Sequence, residues 1–157
     1  MPTVTFNLYD NFRLRQQNGL DIDLDLPGGN GLKMMLVLGT YTPLQNTHVF
    51  MSDLVPATHE VSGTGYAAGG NLCASPTVTL EGDGDVILDA DDPATWAESV
   101  GGFTAARRAI LYRDDVGGDA LSVLIGFSND FGSDQGNVDG TFDVDFDATE
   151  GYAKLPR

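Results

Sequence analysis

Apolar residues alternate with aspartates in two segments of this chain, and this period-two pattern restricts the fold more than any other feature. Residues 20–26 (LDIDLDL) place aliphatic side chains on one side and aspartates on the other, and residues 141–148 (TFDVDFDA) do the same with Phe142, Val144 and Phe146. Successive side chains of a β-strand point to opposite faces, so each segment predicts a strand with one buried and one hydrated face. This is the pattern of an antiparallel sheet.

Further strands are predicted between turns rich in glycine and aspartate. The continuous apolar run at residues 32–38 (LKMMLVL) predicts a central strand covered on both faces. Residues 77–90 (TVTLEGDGDVILDA) predict a β-hairpin, because Gly82-Asp83-Gly84 supplies the positive-φ residues that a tight turn needs. Residues 103–113 and 121–127 predict a second pair of strands around an acidic turn.

Helix is limited to two short segments. Asp10 is a candidate N-cap for a helix over residues 11–17, which end at an Asn-Gly pair. Asn46 or Thr47 is a candidate cap for a helical turn through residues 48–54, stopped by the proline that follows.

Turn residues divide the chain throughout, with 20 glycines and 7 prolines. The sequence therefore predicts a mainly β fold, an antiparallel β-sandwich or barrel of jelly-roll-like form with one or two short helices. No repeat or linker interrupts the pattern, so we expect residues 1–157 to form a single β domain.

The charge is strongly one-sided, with 23 acidic and 8 basic residues and a formal net charge of −15 at pH 7. Such a surface repels phosphate backbones and anionic lipids, so we expect neither nucleic acid nor a membrane as a partner. Two interpretations stay open: a partner surface of opposite sign, or adaptation to salty water, which the scattered positions of the acids favour. No apolar run reaches the ~18 residues of a membrane span and no signal peptide is recognised, so we expect synthesis in a cytoplasm.

Few residues suggest chemistry. His48 and His59 are the only histidines, and a hydrogen-bonded histidine beside a loop is favoured over a catalytic one. Cys73, the single cysteine, predicts a buried apolar residue, and Trp96, the single tryptophan, predicts core or interface packing. We therefore predict no catalytic residue and no enzyme; a hydrolase acting on envelope polysaccharide is the enzymatic alternative.

Two loops resemble ligand-binding loops without matching them. Residues 83–92 contain five aspartates but not at EF-hand spacing, so solvated turns are favoured over a calcium site. Residues 63–70 (GTGYAAGG) lack the lysine of a phosphate-binding loop, and Ala68 stands where a dinucleotide fingerprint has its third glycine. The favoured interpretation is a flexible or tightly turning loop. No metal or cofactor is predicted.

Arg107 and Arg108 are adjacent on a predicted strand, so we expect their side chains on opposite faces. One is expected to reach solvent or a partner, where it would be a binding hot spot. The other is expected to pair with an inward acid such as Asp91 or Asp92.

Five motifs follow one another between residues 9 and 146. They are YTP with His48 five residues later, EVSGTGYAAGG at 60–70, DADDPATW at 89–96, ARRAILY at 106–112 and DFGSD at 130–134. In this order they resemble a family of small tailed-bacteriophage virion structural proteins of the decoration, or cement, type. Two features depart from the family pattern: Pro93-Ala94 lengthens the spacer before the tryptophan, and Arg108 replaces a small residue.

The resemblance implies a virion protein on the capsid exterior, with no catalytic residues to carry over. The expected function is capsid cement, which binds the outer face of the major capsid protein lattice and stabilises the head. A homo-oligomer is expected, for which a trimer is one option, and Tyr41, Phe50, Tyr66 and Trp96 are candidate contacts or core residues. The alternative function is a tail, collar or fibre component that contacts host surface sugars.

Overall fold

The computed structural model of this protein describes residues 4, 6–19, 31–147 and 151–155. The elements in chain order are β1 (Phe6–Leu8), α1 (Asp10–Gln17), β2 (Leu32–Leu38), α2 (Met51–Leu54), α3 (Pro56–His59), β3 (Asn71–Leu72), β4 (Thr77–Leu80), β5 (Val86–Asp89), β6 (Ala106–Arg113), β7 (Val123–Ser128) and β8 (Ala153–Leu155). The alternating segment predicted at residues 20–26 lies outside the described residues.

The strands form two antiparallel sheets, which confirms the mainly β prediction. The larger sheet has the order β1-β7-β6-β2-β3, and the smaller has the order β4-β5-β8. Within the described ranges neither sheet closes on itself, so the barrel form of the prediction is not the one adopted. The predicted hairpin is β4–β5, with Val78 paired to Leu88, and the second predicted pair is β6–β7.

Strand β2 is the central strand that its apolar run predicts. It lies between β6 and β3, and Met34, Met35, Leu36 and Val37 are all buried. Since neighbouring side chains of a strand point in opposite directions, burial of all four means that both faces of β2 are covered. The hydrophobic core extends from this strand to residues of both sheets.

The first helix matches its prediction in extent but not in its cap. α1 spans Asp10–Gln17, and its N-cap residue is Tyr9, not Asp10. Asp10 lies in the first turn, where a carboxylate still interacts favourably with the unpaired N–H groups of the helix start.

The cap predicted for the second helical segment is also wrong. Neither Asn46 nor Thr47 caps α2; the Asp53 carboxylate, from inside the first turn, accepts hydrogen bonds from the N–H groups of Val49 at 2.8 Å and Phe50 at 3.0 Å. An acid at this position can satisfy the N–H groups that a helix start leaves unpaired. A further turn, α3, begins at Pro56, since proline is favoured in a first helical turn.

The segment at residues 141–147 keeps its alternation without forming a regular strand. Phe142, Val144 and Phe146 are buried as predicted, but pairing is limited to isolated bridges such as Trp96 with Phe142. The backbone of Phe142 pairs with a residue of a loop distant in the sequence, Trp96, through hydrogen bonds of 3.0 and 2.9 Å. The period-two prediction of the buried face is confirmed, and the predicted strand is wrong.

An aromatic cluster forms the core beneath these loops. Trp96 is 1% exposed and packs against Tyr66, Phe103 and Phe142 at ring-centroid distances of 6.3, 6.5 and 6.0 Å. Buried aromatic pairs at such distances add to the stability gained from burial alone.

Candidate functional site

A cavity of about 310 Å³ lies on one face of the larger sheet, and we call it the Glu60 pocket. Its walls combine acids, one base and apolar side chains. They are formed by Lys33, Met35, Met51, Pro56, Glu60, Ala68, Gly69, Tyr112, Asp114 and Asp119.

The strand register brings the floor of the Glu60 pocket together. Lys33 on β2 is directly opposite Tyr112 on β6, so their side chains lie on the same face, and Met35 shares that face two residues later. The Tyr112 hydroxyl donates a hydrogen bond to the carbonyl oxygen of Gly69 at 2.8 Å. This bond holds the glycine-rich loop against the floor.

The glycine-rich loop is a tight turn, as one of its two favoured interpretations expects. Gly69 and Gly70 have φ values of +86° and +75°, which residues with a side chain rarely adopt. A Cβ atom on Gly70 would overlap the carbonyl oxygen of Met34. The glycines therefore allow the loop to lie directly on β2.

Glu60 is the central acid of the pocket. Its Oε1 accepts hydrogen bonds from the Tyr66 hydroxyl at 2.9 Å and the Gly69 N–H at 2.6 Å. Burial raises the pKa of Glu60; the two hydrogen bonds act in the opposite direction, and the nearby charge of Asp119 raises the pKa further. A half-buried carboxylate with a perturbed pKa in a cavity is a common mark of a functional site.

A second acid in the pocket already has a partner. Lys33 Nζ is 2.7 Å from Asp114 Oδ2, and both side chains are a little over one quarter exposed. With Glu60 and Asp119 also present, the acids of the pocket outnumber its single base. The pocket is therefore an electronegative cavity with apolar walls.

Three exposed apolar residues flank the lining residues along the chain, and we call them the apolar rim. Val55 precedes Pro56, Val116 lies between Asp114 and Asp119, and Leu121 follows shortly after. Their exposed fractions are 48%, 88% and 55%. Each of the three lies close in the chain to a residue that lines the Glu60 pocket, and exposed apolar side chains that form one patch are more informative than single ones.

Val55 has a strained backbone in addition to its exposure. It joins α2 to α3 in the left-handed conformation, with φ 57° and ψ 69°. A β-branched residue in this region costs roughly 1–3 kcal/mol, and such outliers cluster at functional sites.

The Glu60 pocket can bind a basic side chain. Its carboxylates would attract an ammonium or guanidinium group, and Met35 and Met51 line the cavity where an aliphatic stem would lie. No local pattern predicts this site, because Glu60 stands in the EVSGTGYAAGG motif and Lys33 in the apolar run at residues 32–38. The lining residues come from β2, α2, α3, β6 and two loops, which are far apart in the chain.

The two histidines lie beside loops and are hydrogen-bonded, as expected. His48 Nδ1 is 2.9 Å from the Tyr41 hydroxyl, which is 2.8 Å from the buried Tyr9 hydroxyl. Burial lowers the pKa of His48, and Asp53 acts in the opposite direction. His59 Nδ1 is 3.1 Å from Thr40 Oγ1.

The aspartate-rich hairpin turn forms an acidic cluster that contains a lysine. Carboxylate oxygens of Glu81, Asp83 and Asp85 lie within 4.8 Å of one another. Lys154 Nζ is 2.8 Å from Glu81 Oε2 and 3.2 Å from Asp85 Oδ2. An ammonium group thus neutralises part of the charge that would attract a metal ion.

The other singled-out residues belong mainly to the core. Cys73 is buried, and burial raises the pKa of its thiol. Tyr41 and Trp96 are also buried, so core packing, not surface contact, is confirmed for both. Phe50 and Tyr66 are half-buried.

The predicted placement of the two arginines is wrong. Arg107 Nη2 lies 2.7 Å from Asp130 Oδ1, and Arg108 Nη2 lies 3.4 Å from Asp130 Oδ2. Both side chains therefore reach one carboxylate, and neither pairs with Asp91 or Asp92. Asp92 instead accepts a hydrogen bond from a backbone N–H group, at 2.7 Å.

A β-bulge explains the convergence of the arginines. Val37 pairs with Arg108 and Leu38 pairs with Ala106, so Arg107 is an extra residue in β6. A bulge interrupts the strict alternation of side chains and redirects them locally. The sequence does not reveal the bulge, because its register depends on the neighbouring strand.

Comparison of the chain with protein-family models, with curated proteins and with solved structures found no match. In the described parts of the chain, no helix has the length and apolar character needed to cross a membrane.

Proposed function

We propose that this chain is a structural protein of a bacteriophage virion, a capsid cement protein that binds the outer face of the major capsid protein lattice. The observation that carries the proposal is the electronegative Glu60 pocket, together with the exposed apolar rim, Val55, Val116 and Leu121, whose members lie close in the chain to its lining residues. Protein–protein interfaces combine apolar contact area with a small number of polar contacts, and surrounding residues exclude water from the side chains that contribute most to binding. The order of sequence motifs that resembles phage decoration proteins supports the same function.

The pocket defines the chemistry of the contact. A lysine or arginine of a capsid subunit enters the Glu60 pocket, where Glu60 and Asp119 receive its charge and Met35 and Met51 contact its stem. The apolar rim packs around that anchor and excludes water from it.

The net charge of −15 fits a position outside the head. Packaged DNA repels an acidic protein, and a strongly charged outer layer keeps particles apart in solution. Each copy needs only a modest contact, because two contacts to adjacent capsid subunits act together as one avid attachment.

The test compares particles that have the protein with particles that lack it. We expect a copy number in the hundreds by gel densitometry, roughly as many copies as capsid subunits, and loss of heat resistance in particles assembled without it. A handful of copies per particle would indicate a tail, collar or fibre component instead. Equal heat resistance with and without the protein would refute the cement function.

A matched pair of variants tests the apolar rim. Val116→Asp places a charge in the rim, and Val100→Asp places the same charge at a residue that is 96% exposed in a different turn. We expect Val116→Asp to reduce binding to stripped particles at least tenfold and Val100→Asp to leave it nearly unchanged. Equal binding by both variants would exclude the rim as the contact.

A further inference from the structure

Strand β4 is an exposed edge of the smaller sheet. It pairs with β5 on one side, and no described strand pairs with its other side. All four of its residues are exposed, and Val78 and Leu80 are 51% and 72% exposed. An exposed edge strand presents unpaired backbone groups that can pair with another chain.

The backbone groups that face the open edge can be identified. The Glu81 N–H donates to the Asp85 carbonyl oxygen at 2.8 Å, so this opposing pair is hydrogen-bonded across the hairpin. Hydrogen-bonded and non-hydrogen-bonded pairs alternate along an antiparallel ladder. Thr77 and Thr79 therefore point their N–H and C=O groups at β5, whereas Val78 and Leu80 point theirs outward.

The side chains of Val78 and Leu80 continue an apolar face of the smaller sheet. Val78 is opposite Leu88, which is opposite Ala153, so all three lie on one face. Leu88 and Ala153 are buried, while Val78 is half exposed. The apolar face thus extends beyond the core and ends uncovered at β4.

The absence of charged side chains in and before β4 indicates which kind of partner covers this edge. Residues 61–80 contain no charged side chain, although the chain carries a net charge of −15. Two copies of so acidic a protein repel each other except where their contact surfaces lack acids. Strand β4 offers such a surface, with apolar side chains and outward backbone groups together.

We propose that β4 pairs antiparallel with β4 of a second copy, with Thr79 on the two-fold axis. In this register Val78 of one copy is opposite Leu80 of the other, and each such pair exchanges both of its backbone hydrogen bonds. The apolar side chains of the two copies then meet on one face, and the two small sheets become one. Glu81 is opposite Thr77, so no acid of one strand directly opposes an acid of the other.

The neighbouring register is less favourable. With Val78 on the axis, Leu80 would oppose Pro76, which has no N–H group to donate. The contact is isologous and makes pairs, so a trimer would need a different interface. The proposal does not depend on the capsid function.

A cross-linking experiment tests the register. Thr79→Cys places two cysteines opposite each other in a non-hydrogen-bonded pair, where Cα atoms are ~4.5 Å apart, within disulfide range. Thr77→Cys is the matched control, because Thr77 is equally part of exposed β4 but opposes Glu81. We expect mild oxidation to give covalent dimer at least tenfold faster with Thr79→Cys, and equal rates would overturn the proposed register.

Sedimentation of the full chain tests the association itself. At a salt concentration that screens the net charge, the wild-type protein should sediment partly as a dimer, and the dimer fraction should rise with protein concentration. Leu80→Asp should abolish it, whereas Val100→Asp, which adds the same charge elsewhere, should not. A wild type that stays monomeric to millimolar concentration, or equal effects of the two variants, would overturn the proposal; circular dichroism checks that both variants fold.

Discussion

Single residues carry the polar chemistry of this protein, and Glu60 is the most informative of them. Two donors reach its Oε1, yet burial and the charge of Asp119 keep its pKa above the usual value. Ionised Glu60 is thus less stable in the folded chain than in water. This loss of stability is expected at a site where a carboxylate is held in position to bind a cationic group of a partner.

The raised pKa of Glu60 predicts a specific pH dependence. A carboxyl whose pKa is higher in the folded state stabilises the fold fully below its unfolded pKa, and this stability is lost as the pH rises through the folded value. Glu60→Gln keeps an oxygen that accepts from Tyr66 and Gly69 but cannot ionise. We expect the free energy of unfolding, measured in urea, to fall less for the Glu60→Gln variant than for the wild type as the pH rises above about 4.5.

The control for this measurement is Glu98→Gln, which changes an exposed glutamate. It should follow the wild-type pH profile. Identical profiles for Glu60→Gln and Glu98→Gln would contradict the role of burial at Glu60.

At the scale of elements, buried polar side chains hold the loops that the sheets leave free. Asn137 is fully buried; its Oδ1 accepts from the Phe103 N–H at 2.9 Å, and its Nδ2 donates to the Ala97 carbonyl oxygen at 2.8 Å. With a further bond of 3.4 Å from Nδ2 to the Thr64 carbonyl oxygen, this side chain joins three loops beside the aromatic cluster. Such fully satisfied buried groups fix a single loop arrangement.

Removing this side chain should destabilise the protein strongly. Asn137→Ala leaves the buried N–H of Phe103 without this partner, removes the bond to the part-buried Ala97 carbonyl oxygen and opens a cavity, which we expect to cost roughly 3 kcal/mol. The measurement is the urea midpoint at unchanged m-value. Asn129→Ala, which removes an exposed side chain bonded to Asn7, should cost less than about 0.5 kcal/mol, and a similar loss in both variants would refute the explanation.

At the scale of the whole molecule, excess negative charge opposes folding. Several of the rare bases are already paired, Lys33 with Asp114, Arg107 with Asp130 and Lys154 with Glu81. The remaining acids repel one another in the compact state more than in the extended chain. This repulsion is long-range, so it depends on ionic strength and not on any one contact.

Salt should therefore stabilise the protein. Raising NaCl from 0.1 M to 1 M shortens the screening length from about 10 Å to about 3 Å, and we expect the Tm to rise by several degrees. Sucrose, which stabilises without screening charge, is the control for general solvent effects. A Tm that stays constant or falls with NaCl would contradict the dominance of self-repulsion and the interpretation of salt adaptation.

Local sequence patterns predicted those parts of the fold that depend on neighbours in the chain. β2, the β4–β5 hairpin and the buried face of Phe142, Val144 and Phe146 follow from the order of apolar, polar and turn residues. The N-caps of the helices could not be predicted from the local pattern. Asp53 caps α2 from inside its first turn, whereas the predicted caps, Asn46 and Thr47, precede the helix.

The sequence by itself determined the strand-rich class of this protein, its acidity and the buried side chains of β2 and of residues 141–147, because these depend on neighbours in the chain. Only the tertiary structure decided the β-bulge at Arg107, the Glu60 pocket and the uncovered edge at β4. Each depends on the register of strands that are distant in sequence, and a one-residue change of register reverses the face that every side chain occupies. The local pattern does not contain that register, so it could not predict the surfaces through which we propose that the protein acts.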